Sequence, residues 1–142
     1  MKSFKLLFIL LPFISFGQIP NCVSIRGNYL WMSEIEVSNR NYSDFLKSVS
    51  DEDSVKYRPN SEMWKTQKYC EPMAEFYFRH PAYQDYPVVN VTHKQAKAYC
   101  NWLTIQLNTN FPNQKVLVRL PTEKEWEFAA KGGNPFAIYP WG

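Results

Sequence analysis

The sequence predicts a loop-heavy α+β domain, and three observations predict it. Apolar stripes at helical spacing occur in three separated places, and short runs of strand-forming residues lie apart from them. Ten prolines stand beside only five glycines in a chain that is 17% aromatic. That balance disfavours a long helical bundle or a repeat array. With 45% hydrophobic and 20% charged residues the chain is neither disordered nor fibrous.

Residues 1–17 read MKSFKLLFILLPFISFG. Lys2 and Lys5 precede an apolar run, and Ser15 and Gly17 are the small residues at −3 and −1 of a cut before Gln18. These are the parts of a secretory signal peptide, and the run is too short to span a bilayer. Residues 18–142 are then the exported body, enough for one domain. Removing Lys2 and Lys5 leaves 14 basic side chains against 13 acidic ones. A net charge of +1 argues against nucleic acid as a partner. No transmembrane span is expected after cleavage; a protein or peptide partner is left open. Export permits disulfides, but Cys22, Cys70 and Cys100 are odd in number and lack zinc-knuckle or redox-pair spacing. Lipidation at Cys22 is disfavoured because Pro20 and Asn21 do not suit the small-residue box it needs.

Tyr29 to Val37 is rich in strand formers and partly alternates, which predicts a strand ending near Val37. Ser38 then caps a helix whose Tyr42, Phe45, Leu46 and Val49 share one face. Asp51-Glu52-Asp53 reads as the solvated start of a loop. Tyr57 to Pro87 reads as a long ordered loop held by aromatic burial rather than by hydrogen-bond ladders. Thr92 and Gln95 form a capping box, and Ala96, Tyr99, Cys100, Leu103 and Leu107 make the core stripe of the helix it starts. Val116 to Leu120 is expected to be a short strand. Thr122 and Glu125 form a second capping box. Trp126, Ala129 and Ala130 supply that helix's buried face, with Trp126 as a core anchor, and Gly132-Gly133 ends it.

Chemistry is sparse. His80 and His93 are not paired at metal-ligand spacing. Glu123, Glu125 and Glu127 offer carboxylates for acid–base work, but they lie at a helix start, where acids suit the dipole. Asn41-Tyr42-Ser43 and Asn90-Val91-Thr92 match glycosylation sequons, a match common by chance. No nucleophile elbow, P-loop or dinucleotide fingerprint is present. No catalytic, cofactor-binding or metal-ligating residue is assigned.

Three blocks go further: Glu36 to Leu46 (EVSNRNYSDFL), Tyr86 to Leu103 (YPVVNVTHKQAKAYCNWL), and Arg119 to Gly133 (RLPTEKEWEFAAKGG) followed by Tyr139-Pro140-Trp141-Gly142. In content, order and spacing they resemble the sulfatase-modifying-factor family, the formylglycine-generating enzyme-like domain. Tyr69 to Pro87 is also similar to the loop of gliding-motility lipoproteins that carry this domain. The resemblance implies a sulfatase-modifying-factor fold related to C-type lectins, with little regular structure. It further implies that residues 18–142 are the N-terminal half of that domain, so that the fold here is incomplete. Arg119 is expected to pair with acids of the capped helix. Catalytic members oxidise a sulfatase cysteine to formylglycine, using oxygen and copper held by a cysteine pair. That pair and the structural calcium sites lie beyond the Pro-Trp-Gly turn, so no ligand carries over and no cofactor is expected in this chain. Cys100 matches a position that in some members forms a disulfide. Three functions follow: an oxidoreductase front half, a non-catalytic envelope scaffold or binding protein like the gliding-motility relatives, and a lectin-like binder by fold analogy alone.

Overall fold

A computed structural model describes residues 10–11, 21–26, 30–66, 71–113, 115–134 and 136–139. Most of the leader, the expected cut before Gln18, Cys70 and the Pro140-Trp141-Gly142 turn lie outside the described residues. The described elements are mixed. They comprise strands β1 (Leu10–Leu11), β2 (Cys22–Arg26) and β3 (Leu30–Ser33), and helices α1 (Asn39–Ser48), α2 (Asp51–Tyr57), α3 (Glu71–Phe76), α4 (His93–Asn110) and α5 (Glu123–Ala130). This is an α+β composition. Two compact units form. One is built on Glu36–Tyr99 and the other on Phe8–Ile35 with Cys100–Gly142.

The first unit is assembled around aromatic rings. Ser38 caps α1 by accepting from the Asn41 N–H at 3.2 Å. Tyr42 and Phe45, three apart, then turn inward and are buried. Tyr42 stacks on Tyr99 at 5.6 Å, and Phe45 meets both rings edge-on. The Tyr42 hydroxyl donates to the Tyr57 carbonyl at 2.9 Å, and burial raises its pKa. The acidic triplet is a helix rather than the start of a loop. Ser50 accepts from the Asp53 N–H, and Asp51, Glu52 and Asp53 fill the first turn of α2, where acids oppose the helix dipole favourably.

The Tyr57-to-Pro87 stretch is more structured than expected. It holds 3-10 helices at Ser61–Thr66 and Pro81–Tyr83, and α3 between them. Its stapling is aromatic, as anticipated: Tyr77 contacts Trp64, Phe78 and Tyr83 within 5.5 Å. The Tyr77 hydroxyl donates to the Pro87 carbonyl at 2.8 Å. The Thr92–Gln95 box forms in both directions, at 2.7 and 3.3 Å. The Gln95 amide also donates to the Lys56 and Arg58 carbonyls.

In the second unit β3 is the central strand of the order β1-β3-β2, antiparallel on both sides. Strand β3 stops at Ser33, four residues before the expected end. Val37 is instead buried in the first unit, where it accepts from the Val88 N–H at 2.8 Å. Residues 116–120 form no strand and join no ladder among the described residues. Their polar groups are met by helix side chains. Asn108 accepts from the Val116 N–H and donates to its carbonyl, and Thr104 accepts from the Val118 N–H. Val116 and Val118 are buried with Leu117 exposed between them, the alternation of a strand without its partner.

The Thr122–Glu125 capping box and the glycine stop of α5 both form, with Gly132 and Gly133 at φ 59° and 76°. Trp126 corrects the sequence reading. It is 42% exposed, and α5 has no buried residue, so it is not a core anchor. Among the described residues nothing fully covers either large ring of this helix, and Phe128 is 43% exposed as well. Of the α4 stripe, Ala96, Tyr99 and Cys100 are buried, and Leu103 and Leu107 are half-buried.

Candidate functional site

A cleft of about 280 Å³ opens in the first unit. Helix α1 supplies Asn39, Tyr42, Ser43 and Leu46, spaced so that they share one side of the helix. Arg58, Pro59 and Ser61 come from the segment after α2, where the Gln95 amide pins the Arg58 carbonyl at 2.9 Å. Ala74 and Glu75 of α3, then Phe78 and Arg79, close the opposite wall with Val88. The aromatic staple around Tyr77 fixes that wall. Asn39 is only 7% exposed, and its side-chain amide donates to the Tyr77 and Tyr83 carbonyls at 3.2 and 2.9 Å.

Among the described residues, the charges at the cleft are unpaired. Elsewhere Arg40 pairs with Asp85 at 3.0 Å and Arg119 with Glu125 at 2.7 Å. Arg58, Arg79 and Glu75 make no ion pair or side-chain hydrogen bond among the described residues. The lining thus presents two guanidiniums and one carboxylate without a partner among the described residues, the Ser43 and Ser61 hydroxyls, and the apolar side chains of Leu46, Pro59, Phe78 and Val88. Nothing in the sequence singles out Arg58 and Arg79. They lie 21 positions apart in a stretch without a repeating pattern, and only the fold brings them to one cleft.

The other sequence candidates take structural places. Glu125 closes the capping box and receives both arms of the Arg119 guanidinium, at 2.7 and 2.9 Å. That pairing holds its carboxyl at about 2, well below the ordinary 4.5. Glu123 and Glu127 are exposed on the same short helix. His80 caps the 3-10 turn at Pro81, its Nδ1 accepting from the Ala82 N–H at 3.2 Å. His93 is exposed at the start of α4. Cys100 is buried, and burial pushes its thiol up to about 11; Cys22 is half-buried, raised by burial and by nearby Glu34. Among the described residues no three His, Cys, Asp or Glu side chains gather as a metal group, and no helix is long and apolar enough to cross a membrane.

Comparison with known proteins places these features in a family frame. Residues 20–142 match the model of the sulfatase-modifying factor enzyme 1-like domain. The chain is 45% identical over 58 residues to the inactive C-alpha-formylglycine-generating enzyme 2 of Bos taurus, covering 41% of this chain and 15% of that protein. It is 33% identical over 97 residues to the Mus musculus protein of the same name, covering 63% and 27%. With the formylglycine-generating enzyme of Mus musculus it shares 28% identity over an alignment of 144 positions, covering 84% and 35%. The match therefore spans about a third or less of these relatives' length. No solved structure matches.

Proposed function

The chain belongs to the sulfatase-modifying factor enzyme 1-like family, and from that premise we propose that it is an exported protein of the formylglycine-generating type whose own residues frame the domain rather than carry the oxidation. The state of its thiols is the observation behind this reading. Copper chemistry on a cysteine substrate needs soft thiolates brought together and deprotonated. Neither described cysteine suits that task. Cys100 is shut in the α4 stripe with its thiol pushed up to about 11, and Cys22 sits in β2 with its thiol also raised. The described residues therefore do not fit a copper centre. The charged leader with its Ser15/Gly17 pair supports export. N-terminal sequencing of exported protein checks that part, and a chain beginning at Met1 would contradict it.

A second reading has its own support. Two of the similar proteins are named as inactive forms. A non-catalytic envelope scaffold or binding protein, as in gliding-motility proteins that carry this domain, is consistent with a framework that holds a cleft but, among the described residues, no reactive thiol pair. The lectin-like relation of the fold belongs to this proposal as well. A copper(I) competition titration tests the metal side of the account. The chain is expected to leave copper with a tight chelator; a stoichiometric complex abolished by Cys100→Ser would overturn it.

A further inference from the structure

We infer that the cleft between α1 and the α3 wall of the first unit is a binding site for a compact carboxylate with an adjacent N–H and an apolar branch, the chemistry shared by an N-acylated amino acid and a polypeptide C-terminus. Four observations meet there. First, of the four arginines with described side chains, the two without an acidic partner are the two that line this cleft, Arg58 and Arg79. A guanidinium presents a planar fork of donors that matches carboxylate oxygens, and two forks at one opening make an anion seat. Second, Glu75 lines the same cleft without a cation. Two positive groups and one negative leave the lining at a net +1, which suits a monoanion. A carboxylate brings the occupied cleft to neutrality, whereas a phosphate dianion would leave it at a net −1 beside Glu75. Glu75 is also an acceptor for an N–H next to the ligand's carboxylate.

Third, part of the lining is apolar. Leu46, Pro59, Phe78 and Val88 offer no donor or acceptor beyond their backbone, and Pro59 is buried. A branched aliphatic side chain loses water there and gains contact. Fourth, the size is at the small end of ligand pockets, which run to about 300–1,000 Å³. A cavity of about 280 Å³ takes one residue-sized group, not a nucleotide or a long chain. The walls are preformed. The Asn39 amide ties α1 to the Tyr77 and Tyr83 carbonyls, and Gln95 fixes the Arg58 carbonyl. Binding therefore need not order a loop, a cost that weakens unformed sites. The inference is separate from the redox reading, since no cleft residue is a thiol.

Isothermal titration of the whole chain tests it with four probes: N-acetyl-L-leucine, 4-methylpentanoate, a hexapeptide ending in leucine, and the same peptide as its C-terminal amide. The acid forms are expected to bind saturably, and the amide about tenfold or more weaker. Arg58→Gln with Arg79→Gln should cut acid binding about tenfold or more while far-ultraviolet circular dichroism stays unchanged, because both side chains are exposed. Glu75→Gln should weaken N-acetyl-L-leucine and leave 4-methylpentanoate, which lacks the N–H, unaffected. Tighter binding of the hexapeptide acid than of N-acetyl-L-leucine identifies a polypeptide end as the source; the reverse order identifies a free small acid. Equal binding of acid and amide, no change in the double variant, or inorganic phosphate outcompeting every carboxylate would overturn the assignment.

Discussion

Asn108→Ala should cost the chain about 2–3 kcal/mol, because one side chain does the work of a missing strand. Asn108 and Thr104 lie one helical turn apart on α4, a rise of about 5.4–6 Å. Val116 and Val118 lie two residues apart in extended chain, about 6.6 Å. The two spacings nearly match, so the helix meets the strand's polar groups in register. The Asn108 amide donates to the Val116 carbonyl at 2.8 Å and accepts from its N–H at 2.9 Å. Thr104 accepts from the Val118 N–H at 2.9 Å. Truncating Asn108 strips both partners from Val116, a buried residue. Each orphaned backbone group costs about 1–3 kcal/mol, and about 1–1.5 kcal/mol each applies because these bonds are only part-buried. Asn108→Asp should also destabilise, since it sets an oxygen against the Val116 carbonyl. Asn101→Ala, exposed on the same helix, should stay within about 0.5 kcal/mol. Urea melts followed by circular dichroism read all three. With a slope of about 1–3 kcal/mol/M, the Asn108→Ala midpoint should fall by about 0.7–3 M. A loss below about 0.5 kcal/mol would show that water or neighbouring backbone replaces the clamp.

Three further outcomes follow from the same geometry. The Glu125 carboxyl is held at about 2 against an ordinary 4.5, so its stabilising contribution is full above pH 4.5 and is lost as pH falls toward 2. Glu125→Gln should flatten the stability profile across that window, and an unchanged acid limb would count against the ion pair. Trp126→Ala should cost about 1–2 kcal/mol, not the roughly 3–5 kcal/mol of a fully buried indole, as measured in denaturant melts. Cys100, buried with its thiol at about 11, should resist a thiol reagent at pH 8 until denaturant is added, and rapid labelling of the native chain would contradict its burial.

Local signals in the sequence are legible where chemistry and spacing coincide. Both capping boxes, the Ser38 cap, the glycine stop at Gly132-Gly133 and the aromatic staple around Tyr77 all stand as their residues suggested. The Arg119–Glu125 pair, expected from the family resemblance, is present. Misreadings arose where one pattern serves two structures. Asp51-Glu52-Asp53 looks like a solvated loop, yet with Ser50 before it the same triplet starts a helix. The alternation at Val116–Leu120 marks one buried edge of extended chain but cannot say whether the partner is a strand or a helix. Trp126 sits at helical spacing, yet spacing does not reveal how wide a face the neighbours will cover. The cleft was out of reach for a different reason: Glu75 and Arg79 are one turn apart, but Arg58 joins them only through the fold, where Gln95 pins its carbonyl.

The central proposal is that the described residues frame the domain without themselves carrying the oxidation. Mass spectrometry of a sulfatase-motif peptide incubated with the purified chain, copper and oxygen tests it most directly. The account predicts that the peptide cysteine stays a cysteine at the level of the protein-free control. Formylglycine above that control, lost when Cys22 or Cys100 is replaced by serine, would contradict it.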